Sequence, residues 1–204
     1  MVDCQLRRRG IRDERVLSAL AEIPREEFVP LESRVLAYKD DPIGIGFGQT
    51  ISQPYMTALM AQELALSGRE TVLEVGSGCG YAAAVLGALA RRVVTVEIIP
   101  ELVDLARTNL RRTGRDGNVL VIRGDGSMGF APGAPYDAIS VAAAAPDVPV
   151  SLLEQLGDPG RAVIPVGTRE DQDLRVIRRR AGRIEYRNAV QCRFVPLVGG
   201  EGWH

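Results

Sequence analysis

The sequence is poor in the residues that several common kinds of catalysis require. Only one of its 204 residues is a histidine, His204, which is the last residue. A Ser-His-Asp or Cys-His enzyme, or a metal site with several histidines, would need that ring to reach back from the end of the chain. We therefore expect no catalytic histidine and no metal.

Cysteine is also scarce, and long apolar runs are missing. Cys4, Cys79 and Cys192 are far apart and odd in number, which fits neither a disulfide framework nor paired zinc ligands. The longest apolar run, residues 82–90, is far shorter than the roughly 20 residues that a membrane span needs. No apolar stretch follows the N-terminal arginines as it would in a signal peptide. We expect a cytoplasmic protein that does not contact a membrane.

Charge of one sign is lacking as well. Lys39 is the only lysine, and arginines balance the acids to a net charge of −1 at pH 7. No global positive field would draw such a chain onto nucleic acid, so we expect no nucleic-acid partner. The length and the 46% of hydrophobic residues are typical of one soluble globular domain, and we expect a monomer.

From residue 71 onward, short β-branched and apolar runs alternate with helical patterns. Such strands, nearly continuous in apolar residues, are typical of a parallel sheet covered on both faces. The sequence predicts an α/β fold with a doubly wound, mostly parallel sheet, followed from Asp173 by antiparallel edge strands. The predicted strands are residues 71–75, 93–96, 119–122, 138–141 and 162–166, and the predicted helices 81–90, 100–114 and 150–156.

The first fifty residues predict short helices and loops. Asp13 is placed to cap a helix, and three glycines within residues 44–48 favour a loop with special backbone angles rather than a strand. A further helix is predicted from about Ser52 to Gly68. We expect a single domain, residues 1–204, in which residues 1–52 complete the active site and residues 53–204 form the cofactor-binding core.

A glycine-rich turn follows the first predicted strand. Gly76, Gly78 and Gly80 alternate with other residues, and a dinucleotide fingerprint would have Gly or Ala at Tyr81. Acids stand at Glu74, before the turn, and at Glu97, where the next strand ends. Two acids and closely approaching glycines suit a ligand with an ammonium and a ribose but no phosphate, namely S-adenosylmethionine. The alternative is a plain glycine turn beside a surface acid.

Two further segments have two interpretations each. Gly124, Asp125 and Gly126 follow the third strand, where a carboxylate and nearby amides could contact adenine, but the same residues also form ordinary turns. Residues 142–145 are four alanines that leave room for a substrate beside the cofactor, although tight packing alone would also select them.

One segment is far more specific than the glycine turn. Residues 48–56, Gly-Gln-Thr-Ile-Ser-Gln-Pro-Tyr-Met, resemble the most characteristic segment of the protein-L-isoaspartate O-methyltransferases. Further blocks resemble that family in the same order, at residues 23–30, 72–81, 124–126, 134–139 and 194–199. The resemblance extends over residues 16–203.

The resemblance implies a reaction and a set of site residues. Family members transfer a methyl group from S-adenosylmethionine to the α-carboxylate of L-isoaspartyl residues in damaged proteins and peptides; the ester closes to a succinimide, and S-adenosylhomocysteine is released. Ser52 occupies the family's active-site serine position. The expected cofactor-binding residues are Thr50, Ser52, Glu74, Gly76, Ser77, Gly78, Gly80, Glu97, Asp125 and Gly126. The expected substrate-binding residues are Ile51, Ser52, Gln53, Val195 and Pro196.

The composition agrees with this chemistry. A carboxylate with a pKa near 4 is already ionised at neutral pH, so its methylation needs neither a general base nor a metal. Ser52 could donate a hydrogen bond that orients the substrate carboxylate; alternatively it only caps the helix before Pro54.

Three other functions remain open. A methyltransferase of the same fold could act on a small molecule or nucleic acid, an adaptor could bind S-adenosylmethionine without turnover, and a Rossmann protein could bind a nicotinamide cofactor. Ser52 and its neighbours argue against the first two, and Tyr81 argues against the third.

Overall fold

Strands and helices alternate along most of the chain in the computed structural model, which describes residues 1–204. The helices are α1 (Glu14–Glu22), α2 (Pro54–Leu64), α3 (Tyr81–Leu89), α4 (Pro100–Arg112) and α5 (Val150–Gln155). The strands are β1 (Ile43–Gly46), β2 (Gln49–Ile51), β3 (Thr71–Val75), β4 (Arg92–Glu97), β5 (Val119–Arg123), β6 (Tyr136–Val141), β7 (Leu156–Gly167), β8 (Gln172–Arg180) and β9 (Arg183–Cys192).

Seven of the strands form one sheet in the order β5-β4-β3-β6-β7-β8-β9. The strands from β5 to β7 are parallel, whereas β8 and β9 continue as an antiparallel meander. Successive residues face opposite sides: Val72 packs with α1 to α4 in the larger apolar cluster, and Leu73 packs in a second cluster with Leu152 of α5. The predicted doubly wound α/β fold is confirmed.

The carboxyl ends of the central strands lie level with one another. Val75, the last residue of β3, pairs with Val96 of β4 on one side and with Val141 of β6 on the other. The loops that follow these strands therefore emerge at one edge of the sheet, where open α/β sheets bind their ligands.

The segment predicted as a glycine loop is in fact a small hairpin. β1 and β2 pair antiparallel, and the turn between them has φ of 90° at Gly46, 54° at Phe47 and 71° at Gly48. The left-handed turn was predicted, but the strands were not. Ile43 and Ile45 alternate with glycines and are buried in the core, so side-chain alternation decides the conformation here.

Two other predictions need correction, the end of α2 and the position of β8, and β7 (Leu156–Gly167) begins before the predicted residue 162. α2 ends at Leu64, before Gly68, because Ala65 adopts a left-handed conformation (φ 47°) that closes the last turn. β8 is not an edge strand: it lies between β7 and β9, and its side chains Leu174 and Ile177 are fully buried. Of these two strands, only β9 lies at an edge of the sheet.

The N-terminal region shares the core of the sheet. Leu6 and Ile11 are fully buried in the same apolar cluster as Val72 of β3 and Val85 of α3. No helix of the chain combines the length and apolar character needed to cross a membrane.

Candidate active site

A cavity of about 390 Å³ opens at the carboxyl ends of β3, β4 and β6. Its wall combines the end of the β1–β2 hairpin, the glycine turn after β3, the end of β4 and the chain after β9. Ten of the predicted site residues line it: Thr50, Ile51, Ser52, Gly76, Ser77, Gly78, Glu97, Gly126, Val195 and Pro196.

Glu97 anchors the glycine turn at the end of β4. Its Oε2 accepts a hydrogen bond from the Gly78 amide at 2.9 Å, and its Oε1 accepts from the amides of Ile98 and Ile99 at 2.9 and 3.1 Å. A carboxylate offers about four acceptor positions, so one remains on Oε2 for a ligand hydroxyl. The carboxylate faces the cavity and fits the predicted ribose contact.

Glu74 lies beneath the glycine turn and is completely buried. Thr95 donates to its Oε2 at 2.5 Å, the Ser77 hydroxyl lies 2.6 Å from Thr95 Oγ1, and Glu74 Oε1 has no partner. Burial raises the pKa of Glu74 to about 8; the Thr95 hydrogen bond opposes this and the nearby Glu97 charge adds to it. An unpartnered, buried acceptor beside the cavity fits a cationic ligand such as the ammonium of S-adenosylmethionine.

Ser52 follows β2 and has an uncommitted side chain. Its hydroxyl forms no hydrogen bond within the chain, and the residue lines both the main cavity and a small side pocket with Thr57 and Ala82. The N-cap of α2 is Gln53, and no side chain caps this helix, so the interpretation of Ser52 as an N-cap is wrong. Pro54 has no amide hydrogen, and the Tyr55 amide already donates to Asp40 at 2.9 Å.

The chain after β9 closes the cavity from the opposite side. Val195 accepts from the Ala144 amide at 2.8 Å, and the Leu197 amide donates back to Ala144 at 2.8 Å. This pairing sets Val195 and Pro196 beside the alanines that follow β6, two of which, Ala142 and Ala143, also line the cavity. Ala142 and Ala143 border open space, whereas Ala144 and Ala145 are buried, so each of the two interpretations fits part of this segment.

Four predicted site residues do not line the cavity: Gln53, Glu74, Gly80 and Asp125. Gly80 instead packs against α4, where an added Cβ would stand 3.2 Å from the Ala106 carbonyl oxygen. Asp125 accepts hydrogen bonds from the Gly200 amide at 2.7 Å and from the Ser127 amide and hydroxyl at 2.9 and 2.7 Å.

Sequence reasoning assigned no site role to several lining residues. Thr57, Tyr81, Ile98 and Ile99 all contribute to the wall. Ile98 had a signal in the sequence, because it is a large apolar residue directly after an acid at a strand end. In the structure it is 42% exposed. Tyr81 stood out only as a departure from the dinucleotide pattern.

These features and the structural neighbours define the class. A solved structure described as a protein-L-isoaspartate O-methyltransferase from Plasmodium falciparum, in complex with S-adenosyl-L-homocysteine, superposes with a TM-score of 0.79. It is 27% identical, and the match covers 95% of this chain and 94% of that one. The fold and the site are those of an S-adenosylmethionine-dependent methyltransferase.

The family follows from the sequence comparisons. The model of the protein-L-isoaspartate(D-aspartate) O-methyltransferase family matches residues 1–202. Protein-L-isoaspartate O-methyltransferases from Koribacter versatilis and Methanoculleus marisnigri are 54% and 51% identical, over 100% of this chain and 91% and 92% of their own lengths. A solved protein-L-isoaspartate O-methyltransferase superposes with a TM-score of 0.84 at 30% identity. The match covers 96% of this chain and 64% of the solved chain. The chain belongs to this family, which confirms the resemblance.

Proposed function

We propose that this chain transfers a methyl group from S-adenosylmethionine to the α-carboxylate of L-isoaspartyl residues in damaged proteins and peptides. The observation that carries the proposal is the position of Ser52: its free hydroxyl lies on the same cavity wall as the glycine turn and Glu97. The cavity therefore brings the residues proposed for the methyl donor and the residue proposed for the acceptor together on one surface.

Glu97 and Glu74 hold the donor. Glu97 accepts from a ribose hydroxyl, and Gly76, Ser77 and Gly78 offer close backbone approach. Glu74 does not line the cavity, and it favours the ammonium end through space from beneath the glycine turn. Thr50, Ser52, Gly80, Asp125 and Gly126 complete the proposed cofactor site. Gly80 and Asp125 act indirectly, Gly80 by seating α3 and Asp125 by holding the chain at Gly200. S-adenosylmethionine supplies an electrophilic methyl group on its sulfonium sulfur, and S-adenosylhomocysteine is the product.

Ser52 orients the acceptor. Its hydroxyl donates a hydrogen bond to one oxygen of the substrate carboxylate, so that the other oxygen faces the methyl group. The carboxylate is ionised at neutral pH and needs no base. Holding oxygen, carbon and sulfur in line is a proximity effect that lowers the barrier by about 7 to 11 kcal/mol. The following backbone nitrogen then attacks the methyl ester spontaneously, methanol leaves, and the resulting succinimide is hydrolysed by water partly to normal aspartate.

The substrate segment lies between the two outer walls of the cavity. Ile51 and Ser52 bind it from the hairpin side, with Gln53 next to them outside the cavity, and Val195 and Pro196 bind it from the opposite side. In this proposal residues 1–52 complete the active site on the core formed by residues 53–204. The close approach of the hairpin to the glycine turn supports this division: a Cβ built on Gly78 would stand 3.2 Å from Cδ1 of Ile45. Recognition through backbone groups predicts little preference for the flanking side chains.

We further propose a cytoplasmic monomer that acts on proteins and does not bind nucleic acid. Three unpaired cysteines suit a reducing compartment, and a net charge of −1 offers no attraction to a polyanion.

Methyl transfer from labelled S-adenosylmethionine to a peptide with one L-isoaspartyl residue tests the proposal, and the matching L-aspartyl peptide is the control. Label on the isoaspartyl peptide alone is the expected result. Absence of label on both peptides, with cofactor binding intact, would contradict the proposal and favour either another acceptor or an adaptor that binds without turnover.

A further inference from the structure

Arg25 is a buried cation without an acidic partner. It opens the short helical segment Arg25–Phe28, its side chain is completely buried, and it is the only basic residue in the core. It forms no salt bridge, and Asp40, the carboxylate that acts on it through space, is itself paired with Arg9. Burying an unpaired charge is costly, so its retention calls for a functional reason.

The guanidinium is tied to the segment that carries Ser52. Nη2 donates to the Ser52 carbonyl oxygen at 2.7 Å, Nε donates to the Ala37 carbonyl oxygen at 2.8 Å, and Nη1 has no partner. Neutral carbonyls satisfy donors, but they do not balance the positive charge.

Tyr81 separates this charge from the cavity. The guanidinium carbon of Arg25 lies 4.9 Å from the centroid of the Tyr81 ring. Tyr81 lines the cavity, and its buried hydroxyl has no hydrogen-bond partner. Phe28 packs edge-on against the same ring, with centroids 5.5 Å apart. The positive charge is thus held directly behind the wall, on the side of Ser52.

The wall itself carries the wrong sign for an anionic acceptor. Its lining contains no lysine, arginine or histidine, and its only charged residue is the acid Glu97, with Glu74 buried nearby. These acids suit a cationic methyl donor. An acceptor carboxylate needs a positive potential from elsewhere.

We propose that Arg25 is a positioning residue that makes this site selective for a carboxylate: from behind Tyr81 it supplies the positive potential that favours an anionic acceptor over a neutral one, and it fixes the Ser52 peptide. The proposal rests on the proposed function. Because Arg25 lies behind the ring, it attracts the substrate carboxylate without forming a direct ion pair. Such an ion pair would lower the nucleophilicity of the oxygen that attacks the methyl group.

The test compares two peptides of identical sequence, one with an L-isoaspartyl residue and one with the α-carboxamide in its place. Their dissociation constants are measured by calorimetry with saturating S-adenosylhomocysteine, whose sulfur is uncharged, so the sulfonium charge of the methyl donor does not contribute to the preference. We expect wild type to bind the carboxylate peptide about tenfold more tightly than the carboxamide, and this ratio to persist in high salt because the charge is buried.

Arg25→Gln should reduce the ratio to about one, whereas Arg25→Lys keeps the charge and most of the ratio. Arg34→Gln is the matched control: it removes one positive charge from the adjacent segment, outside the cavity wall, and should leave the ratio unchanged. If Arg25 had a purely structural role, Arg25→Gln would weaken the binding of both peptides equally and preserve the ratio of their dissociation constants.

Equal binding of the two peptides by wild type would overturn the proposal without any variant, as would an unchanged ratio in Arg25→Gln. Should Arg25→Gln fail to fold, the wild-type and Arg25→Lys ratios decide. Failure of wild type to methylate the isoaspartyl peptide would instead count against the proposed function, so the two failures are distinguishable.

Discussion

Thr95 donates its hydroxyl to Glu74 at 2.5 Å, beneath a glycine turn whose Ser77 hydroxyl lies 2.6 Å from the same Thr95 oxygen. All three side chains are buried. This chain of polar groups joins the ends of β3 and β4 to the cofactor turn, and it keeps an acid at a depth where ionisation is unfavourable.

The stability of the cofactor-free protein should therefore fall as the pH rises. Burial raises the pKa of Glu74 from 4.5 to about 8. Between these values the folded state holds a proton that the unfolded state has released, so increasing pH favours unfolding across this window. Urea unfolding of wild type and Glu74→Gln at several pH values checks this, since the difference between them should change between about pH 4.5 and 8. Glu154→Gln, at an exposed position, is the control. A constant difference between wild type and Glu74→Gln across the window would contradict the prediction.

Binding of S-adenosylmethionine should release a proton near neutral pH. The positive charges of the donor favour the ionised form of Glu74, whose pKa burial has raised to about 8. Affinity should accordingly increase with pH up to that value. Calorimetry in buffers of different ionisation enthalpy measures the proton count, and Glu74→Gln should both bind more weakly and release no proton. Proton release that persists in this variant would assign it to another group.

Loss of the Ser52 hydroxyl should affect turnover and spare the cofactor. Ser52→Ala removes the one side-chain donor that we assign to the acceptor, and misplacement of a reacting group costs about a hundredfold in kcat. The dissociation constant for S-adenosylmethionine should change by less than about twofold, because alanine keeps the backbone through which residue 52 contributes to the cofactor site. Ser18→Ala on the exposed face of α1 serves as control. Normal turnover of Ser52→Ala would remove this residue from the mechanism.

The sequence predicts the sheet well because each buried parallel strand is a short apolar run. It does not predict the hairpin, where glycines obscure the alternation of Ile43 and Ile45. The cofactor residues were predictable since they stand at strand ends that the fold brings to one edge. The contact of Asp125 with Gly200 and that of Arg25 with Ser52 join segments 75 and 27 residues apart, which no local pattern encodes.

Removal of the Glu97 carboxylate should weaken cofactor binding first. Glu97→Ala removes both the proposed ribose acceptor and the anchor of the Gly78, Ile98 and Ile99 amides. Hydrogen bonds to a charged group contribute about 1.5 to 3 kcal/mol, so the dissociation constant should rise at least about tenfold. Calorimetry with S-adenosylhomocysteine measures it, and Glu101→Ala, in the first turn of α4, is the control. If Glu97→Ala bound S-adenosylhomocysteine with the same dissociation constant as wild type, the proposed ribose contact of Glu97 would be refuted.

Gly80 should prove structural, since it packs α3 against α4 and does not line the cavity. Its φ is 90°, and a Cβ there would stand 3.2 Å from the carbonyl oxygen and 3.3 Å from the Cα of Ala106, both of them backbone atoms that cannot move aside cheaply. Gly80→Ala should therefore combine left-handed strain of about 1 to 2 kcal/mol with an overpacking cost of about 1 to 3 kcal/mol. Gly114→Ala separates the two, because Gly114 also has a positive φ, 66°, but nothing lies within 4 Å of its Cβ position. Urea unfolding should show the larger loss for Gly80→Ala; equal losses would mean that close helix packing contributes nothing beyond backbone strain.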